Sequence, residues 1–263
     1  MLMLTHTWLL KELIGADNII GNNLDAYVYN VSPDLLTIHP SITPKMTHRI
    51  PLSSRLPAQH RKAAFIRFHL LVDDMAHYGK IGEGSATGFD FNPNSNGYAY
   101  VKGRFLIQPI MNFYRDIGAE ISFSEAAYRS HMIIEMAFDL TVNRKDGSLT
   151  TLFSEALSYT VENKLSEFSR TLGWFFGIEQ KTITEAIEKG IKLYTKDRMN
   201  SLMSLDGRVN LYNAKFNHDP DNDSIRNNIR DLFTMGMDMV ADYEDFLRAT
   251  LKATEKSGFK PQL

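Results

Sequence analysis

The sequence predicts an all-α fold, a single irregular multi-helix bundle of about seven to nine helices over residues 1–263. Three observations predict it. Apolar residues recur at helical spacing along most of the chain. Alternating strand patterns are almost absent. Gly, Pro, Asn and Ser cluster between the periodic stretches, where they act as stops rather than as linkers between domains. With 43% hydrophobic and 11% aromatic residues, the chain has enough apolar surface for a substantial core.

THTWLLKELIG reads as a short first helix, with Thr5 as cap and Gly15 as stop. NNLDAYVYNVSPDLL reads as a second helix that breaks at Pro33, because the residue before a proline is pushed out of the helical region. Residues 36–55, rich in Pro, Ser and Thr, read as an irregular loop. PAQHRKAAFIRFHLLVDDMAHYGK is a long helix with Pro57 in its first turn and Gly79 near its end. Residues 80–98 are rich in Gly, Asn and Ser and lack periodicity, as functional loops often do. A helix follows over roughly 100–117. SFSEAAYRSHMIIEMAFDLTVNR opens on a capping-box pattern, Ser122 or Ser124 with Glu125, and NRKDGSL is a turn. Helical segments over roughly 149–176, 181–205 and 223–256 complete the chain. Residues 1–140 are expected to carry the functional site, and 150–263 to supply additional packing helices.

The chemistry is bounded by what is missing. There are no cysteines, so disulfides and thiolate metal sites are excluded, and a metal must be held by nitrogen and oxygen. A net charge of -2 predicts no stable binding to nucleic acid and no attraction to an anionic membrane. The leading MLMLTHTWLLKELIGAD lacks the basic start of an export signal, and no stretch approaches the ~20 apolar residues of a membrane span. The expectation is a cytoplasmic protein.

Within FHLLVDDMAHYG, His69, Asp73 and His77 recur every fourth residue and so share one helix face. His131 and Glu135 repeat the spacing in HMIIE. Imidazole with carboxylate is the expected donor set for zinc or a similar divalent ion. Alone, HMIIE reads more simply as a solvated pair. The first row is flanked by apolar residues, so its polar groups face a core and need compensation. Asp34, after Ser-Pro, reads alone as a turn residue, and His6 and His48 alone as structural histidines. His39, His60 and His218 lie off the pattern and read as surface or structural. His218-Asp219 makes an HD dipeptide in a polar segment with no partner histidine after it.

The ordered series His6, Asp34, His48, His69-x-x-x-Asp73, His77, His131-x-x-x-Glu135 resembles the ligand series of the zinc-dependent phospholipase C family and the related zinc-dependent single-strand nucleases. The resemblance covers roughly residues 1–140, and the fold it implies is all-helical. It implies up to three divalent ions. Asp34, His48, His69 and Asp73 would hold the first, and Asp73 would bridge to a second that His6 also binds. His77, His131 and Glu135 would hold the third. In the secreted members the free N-terminal amine also binds, and Met1, five residues before His6, would take that place, retained because Leu2 is bulky. The compact Asp73 to His77 spacing resembles the uncharacterised intracellular bacterial branch, with Asp74 and Asp139 as substitute acids for the third ion.

The activity so implied is hydrolysis of a small-molecule or lipid phosphodiester by a metal-bridging hydroxide, with Asp34 orienting the water or acting as base. Zinc is the expected metal, and iron or manganese suit the same donors. Nuclease or nucleotidase activity at the same site is the alternative. A third reading is a metal-binding protein without hydrolysis, in which residues 150–263 form an interaction surface. Phe89, Phe91 and Tyr98, after His77, read either as packing for their loop or as a wall for a cationic head group or a stacked base.

Overall fold

A computed structural model of the chain describes residues 3–15, 23–48, 56–82 and 94–259, and every regular element in them is helical. The expected all-α class holds. The helices are α1 (Met3–Ile14), α2 (Asp25–Leu35), α3 (Pro44–His48), α4 (Ala63–Tyr78), α5 (Tyr98–Asp116), α6 (Phe123–Lys145) and α7 (Leu149–Asn163). They continue as α8 (Leu165–Phe176), α9 (Gln180–Leu193), α10 (Lys196–Leu202), α11 (Leu205–Lys215), α12 (Asp223–Met239) and α13 (Tyr243–Lys256). Short 3-10 turns at Leu36–Ile38 and Ala58–His60 precede α3 and α4. No described helix is long and apolar enough to cross a membrane.

Thirteen α-helices among the described residues exceed the seven to nine expected. The excess comes largely from breaks that use neither glycine nor proline. Lys164, at φ -134 and ψ 1, separates α7 from α8. Tyr194 leaves the helical region and Thr195 then caps α10 by accepting from the Arg198 amide. Ser204 starts α11 in the same way, accepting from the Gly207 amide.

The expected break at Pro33 is also absent: α2 runs through it to Leu35. Pro33 has no N–H for the Tyr29 carbonyl, but the Ser32 hydroxyl donates to that carbonyl at 2.8 Å. The proline stands in the last turn, so little helix is left for it to distort. Asp34 therefore sits on a helix and not at the start of a loop.

Other stops fall where expected. Gly15 and Gly79 have positive φ (78° and 79°), and the Gly79 amide closes α4 onto the Asp74 and Met75 carbonyls. Ser122 caps α6, accepting from the Glu125 amide. α5 and α6 form the most extensive helix pair, and α1, α2, α4 and α6 pack among one another. Buried side chains of the later helices, such as Phe153, Phe168, Tyr212 and Phe233, join the same apolar cluster as Leu9, Phe68 and Phe138.

Candidate metal centre

Four helices and one short turn of helix deliver the polar residues. α1 brings His6, α2 Asp34, α3 His48, α4 the row His69, Asp73 and His77, and α6 His131 and Glu135. Met1 lies outside the described residues. The other eight meet as three groups whose ligand atoms lie within 4.8 Å of one another: His6, His69 and Asp73; Asp34, His48 and His69; His77, His131 and Glu135. His69 belongs to both of the first two groups, where the sequence reading gave the shared position to Asp73 alone.

Asp73 nevertheless faces both sides. Its Oδ1 is 3.3 Å from His6 Nε2, whereas its Oδ2 is 3.3 Å from His69 Nε2 and 3.5 Å from His48 Nε2. His48 Nε2 is also 3.5 Å from Asp34 Oδ1. These separations are longer than a charge-assisted hydrogen bond, about 2.7–2.9 Å. They are close to the roughly 3.4 Å donor–donor edge of a tetrahedral nitrogen and oxygen site for a divalent ion.

The fit is tested by the buried nitrogens. His6 and His69 are fully buried and stack with ring centroids 3.7 Å apart. Nδ1 of both residues lacks a hydrogen-bond partner among the described residues, and Nε2 of each has only the long 3.3 Å approach of Asp73. A buried polar atom without a good partner costs about 1–3 kcal/mol, and the two Nε2 atoms converge on the one Asp73 carboxylate without closing a normal hydrogen bond. A cation at Nε2 supplies the partner. Burial pushes the His6 imidazole down to about 4, so it is neutral at neutral pH and its nitrogen lone pair is available. The residues present fit a divalent metal.

Outer contacts aim the donors. The Pro44 carbonyl lies 3.0 Å from His48 Nδ1, which leaves Nε2 for Asp34 and Asp73. The Asn30 amide donates to the His6 carbonyl at 2.8 Å. Asn30 is one turn before Asp34 on α2, and that spacing is the signal by which sequence reasoning would have found it.

The third group is different. His77 Nε2 and Glu135 Oε1 are 2.7 Å apart, a hydrogen-bonded ion pair. Tyr100 stacks on the His131 ring at 4.8 Å and Tyr128 lies against it at 5.2 Å. Burial alone would lower His77, but its bond to Glu135 raises it. Burial would likewise lower His48, and Asp34 with Asp73 raises it. A raised pKa keeps these imidazoles protonated to higher pH, and a metal must displace that proton. Binding of a divalent ion near pH 7 is therefore expected to release protons, with affinity rising as pH climbs through the raised pKa values. Titration calorimetry in buffers of differing ionisation enthalpy reads this directly; identical heats in all buffers would contradict it.

Two substitute acids take other roles. Asp139 receives the Thr5 amide and hydroxyl and pairs with Arg208, so it is not within the third group. Asp74 is buried and accepts the Gly82 amide at 2.6 Å, so it is neither a member of the three groups nor a surface charge.

No family model, curated protein or solved structure matches the chain.

The remaining aromatic and histidine readings divide. Phe89 and Phe91 lie outside the described residues. Tyr98 packs on Phe246 and donates to Asp242 at 2.6 Å, which is a packing role. His60 stacks on Trp174, His39 lies against Glu185, and His218 bonds to Tyr114 and Asn213, all structural or surface contacts.

Proposed function

We propose that the chain is a metal-dependent phosphodiester hydrolase resembling zinc-dependent phospholipase C. The observation that carries this reading is Asp73, whose two oxygens face different histidines at tetrahedral-edge distances. A carboxylate so placed is suited to holding two ions side by side. When bound, such ions lower the pKa of water toward neutrality and neutralise a phosphate in attack and departure.

The chain's own groups then have distinct tasks. Asp34 is the most open of the inner group, with its side chain 15% exposed against 5% for His48 and 9% for Asp73. Burial would raise its pKa, but the neighbouring His48 and His69 imidazoles outweigh that and hold it down to about 2, so Asp34 is ionised at neutral pH. An ionised carboxylate at the open edge accepts a hydrogen bond from the attacking water and so orients it. The water oxygen bonds to phosphorus as the bond to the ester oxygen breaks, and the proton lost by the water passes to the departing oxygen, so that the products are an alcohol and a phosphomonoester. Buried His6, His48 and His69 keep bulk water from the inner donors.

Elemental analysis of the purified protein, paired with product release from a phosphocholine ester and from single-stranded DNA, tests the reading. Bound zinc with turnover of the first substrate is the expected result. Turnover of DNA alone would reassign the same site to a nuclease. Metal without turnover of either would make the chain a binding protein, and a metal-free protein unable to take up zinc would end the proposal.

A further inference from the structure

We infer that Arg208 and Asp139 are a positioning pair for His6, so that α11 in the C-terminal half is part of what builds the metal centre. The inference rests on the metal-binding reading above.

His6 is the donor that α1 contributes, and α1 needs its register fixed to present it. α1 has no acidic residue in its own first turn. Asp139, on α6, takes that part from outside. Its Oδ1 accepts from the Thr5 amide at 3.1 Å and the Thr5 hydroxyl at 2.9 Å, and its Oδ2 accepts from the Leu4 amide at 3.4 Å. These amides lie in the first described turn of α1. A carboxylate there also faces the positive end of the helix dipole. The clamp acts on the residue next to His6 in the chain.

The carboxylate is itself held. Arg208 Nη2 is 3.3 Å from Asp139 Oδ2, and the two side chains are 6% and 1% exposed. Arg208 Nη2 also contacts the Met203 sulfur at 3.0 Å. A buried ion pair is weak support for stability, because desolvation opposes the attraction. Its use here is directional. With both oxygens engaged, Asp139 has one orientation, and through Thr5 it sets the axial position of α1. Asn30 holds the His6 carbonyl from the other side. His6 Nε2 is thereby delivered to Asp73 Oδ1. Moving α1 by a fraction of an ångström would take that nitrogen out of a tetrahedral edge.

The test is a double-mutant cycle in the full chain, read as zinc affinity by competition with a chromophoric chelator. Asp139→Asn combined with Arg208→Met removes both charges together, which buried pairs often tolerate. Zinc at the ion that His6→Ala also weakens is expected to bind about 10–100-fold less tightly, the range for outer-shell contacts. In the His6→Ala background the same double substitution is expected to cost nothing further. Arg208→Lys keeps the charge and is expected to restore affinity to near wild type. If the double variant does not fold, Thr5→Val removes only the hydroxyl donor and is expected to weaken zinc several-fold, again only when His6 is present. An equal loss with and without His6, or no loss, would overturn the inference while leaving the metal reading intact. A wild-type protein that binds no zinc would overturn both.

Discussion

Asp73→Asn is expected to remove two ions from the protein and to abolish metal-dependent turnover. The substitution keeps the shape of the side chain and changes only what its two outer atoms can do. One oxygen remains, which can face either His6 or the pair His48 and His69, but not both. The other atom becomes an NH2 donor, which no metal accepts as a ligand. The negative charge that holds three buried imidazoles together is also lost. Outer-shell changes alone cost 10–100-fold in metal affinity, so loss of the shared donor itself is expected to exceed about 100-fold, or roughly 2.7 kcal/mol. Plasma emission analysis after dialysis would read the loss. Asp74→Asn is the control: Asp74 accepts the Gly82 amide, so its loss should lower stability without changing metal content. A fully metallated Asp73→Asn protein would show that Asp73 is not a bridge.

The parts of this molecule that were legible in the sequence are those set by a single helix. The His69, Asp73 and His77 row is a consequence of helical pitch, and apolar flanks already said that the row faces inward. The fold class followed from the same periodicity. Partnerships between helices were less accessible. Nothing near Asp139 in the sequence says that it clamps Thr5, because that depends on how α6 lies against α1 and on Arg208, 69 residues further on. Pro33 misled because it stands in the last turn, where little helix is left for its ring to distort, and the Ser32 hydroxyl takes up the Tyr29 carbonyl that a proline cannot serve. The breaks at Lys164 and Tyr194 were invisible for a related reason. A helix former can end a helix when packing asks for it, and no local code announces that.

Gly97→Ala is expected to damage the third group while sparing the first two. Gly97 has an ordinary φ of -63°, so its backbone needs no glycine. What it lacks is space. A Cβ there would lie 2.0 Å from the His77 carbonyl carbon, 2.2 Å from its oxygen and 2.5 Å from the Ala76 oxygen. All three are backbone atoms, so no rotamer relieves the overlap. The end of α4 and the start of α5 must move apart by about an ångström, and overpacking of this kind costs typically about 1–3 kcal/mol, occasionally more. The Ser95 hydroxyl bonds the same His77 carbonyl and accepts from the Gly97 amide, so the junction would shift as a unit. His77 stands at that junction, and Tyr100, three residues into α5, packs on His131. His69 and Asp73 lie one to two turns further back along α4 and are held from α1 and α3 as well. The expected variant therefore melts about 2–12 °C lower, by the usual size scaling, and holds one ion fewer than wild type. Gly147→Ala serves as the matched control, since the nearest atom to its added carbon is the Asn143 oxygen at 4.0 Å. Calorimetric melting and metal analysis on both variants decide the matter: a Gly97→Ala protein with wild-type melting and wild-type metal content would mean that the α4–α5 junction does not set His77.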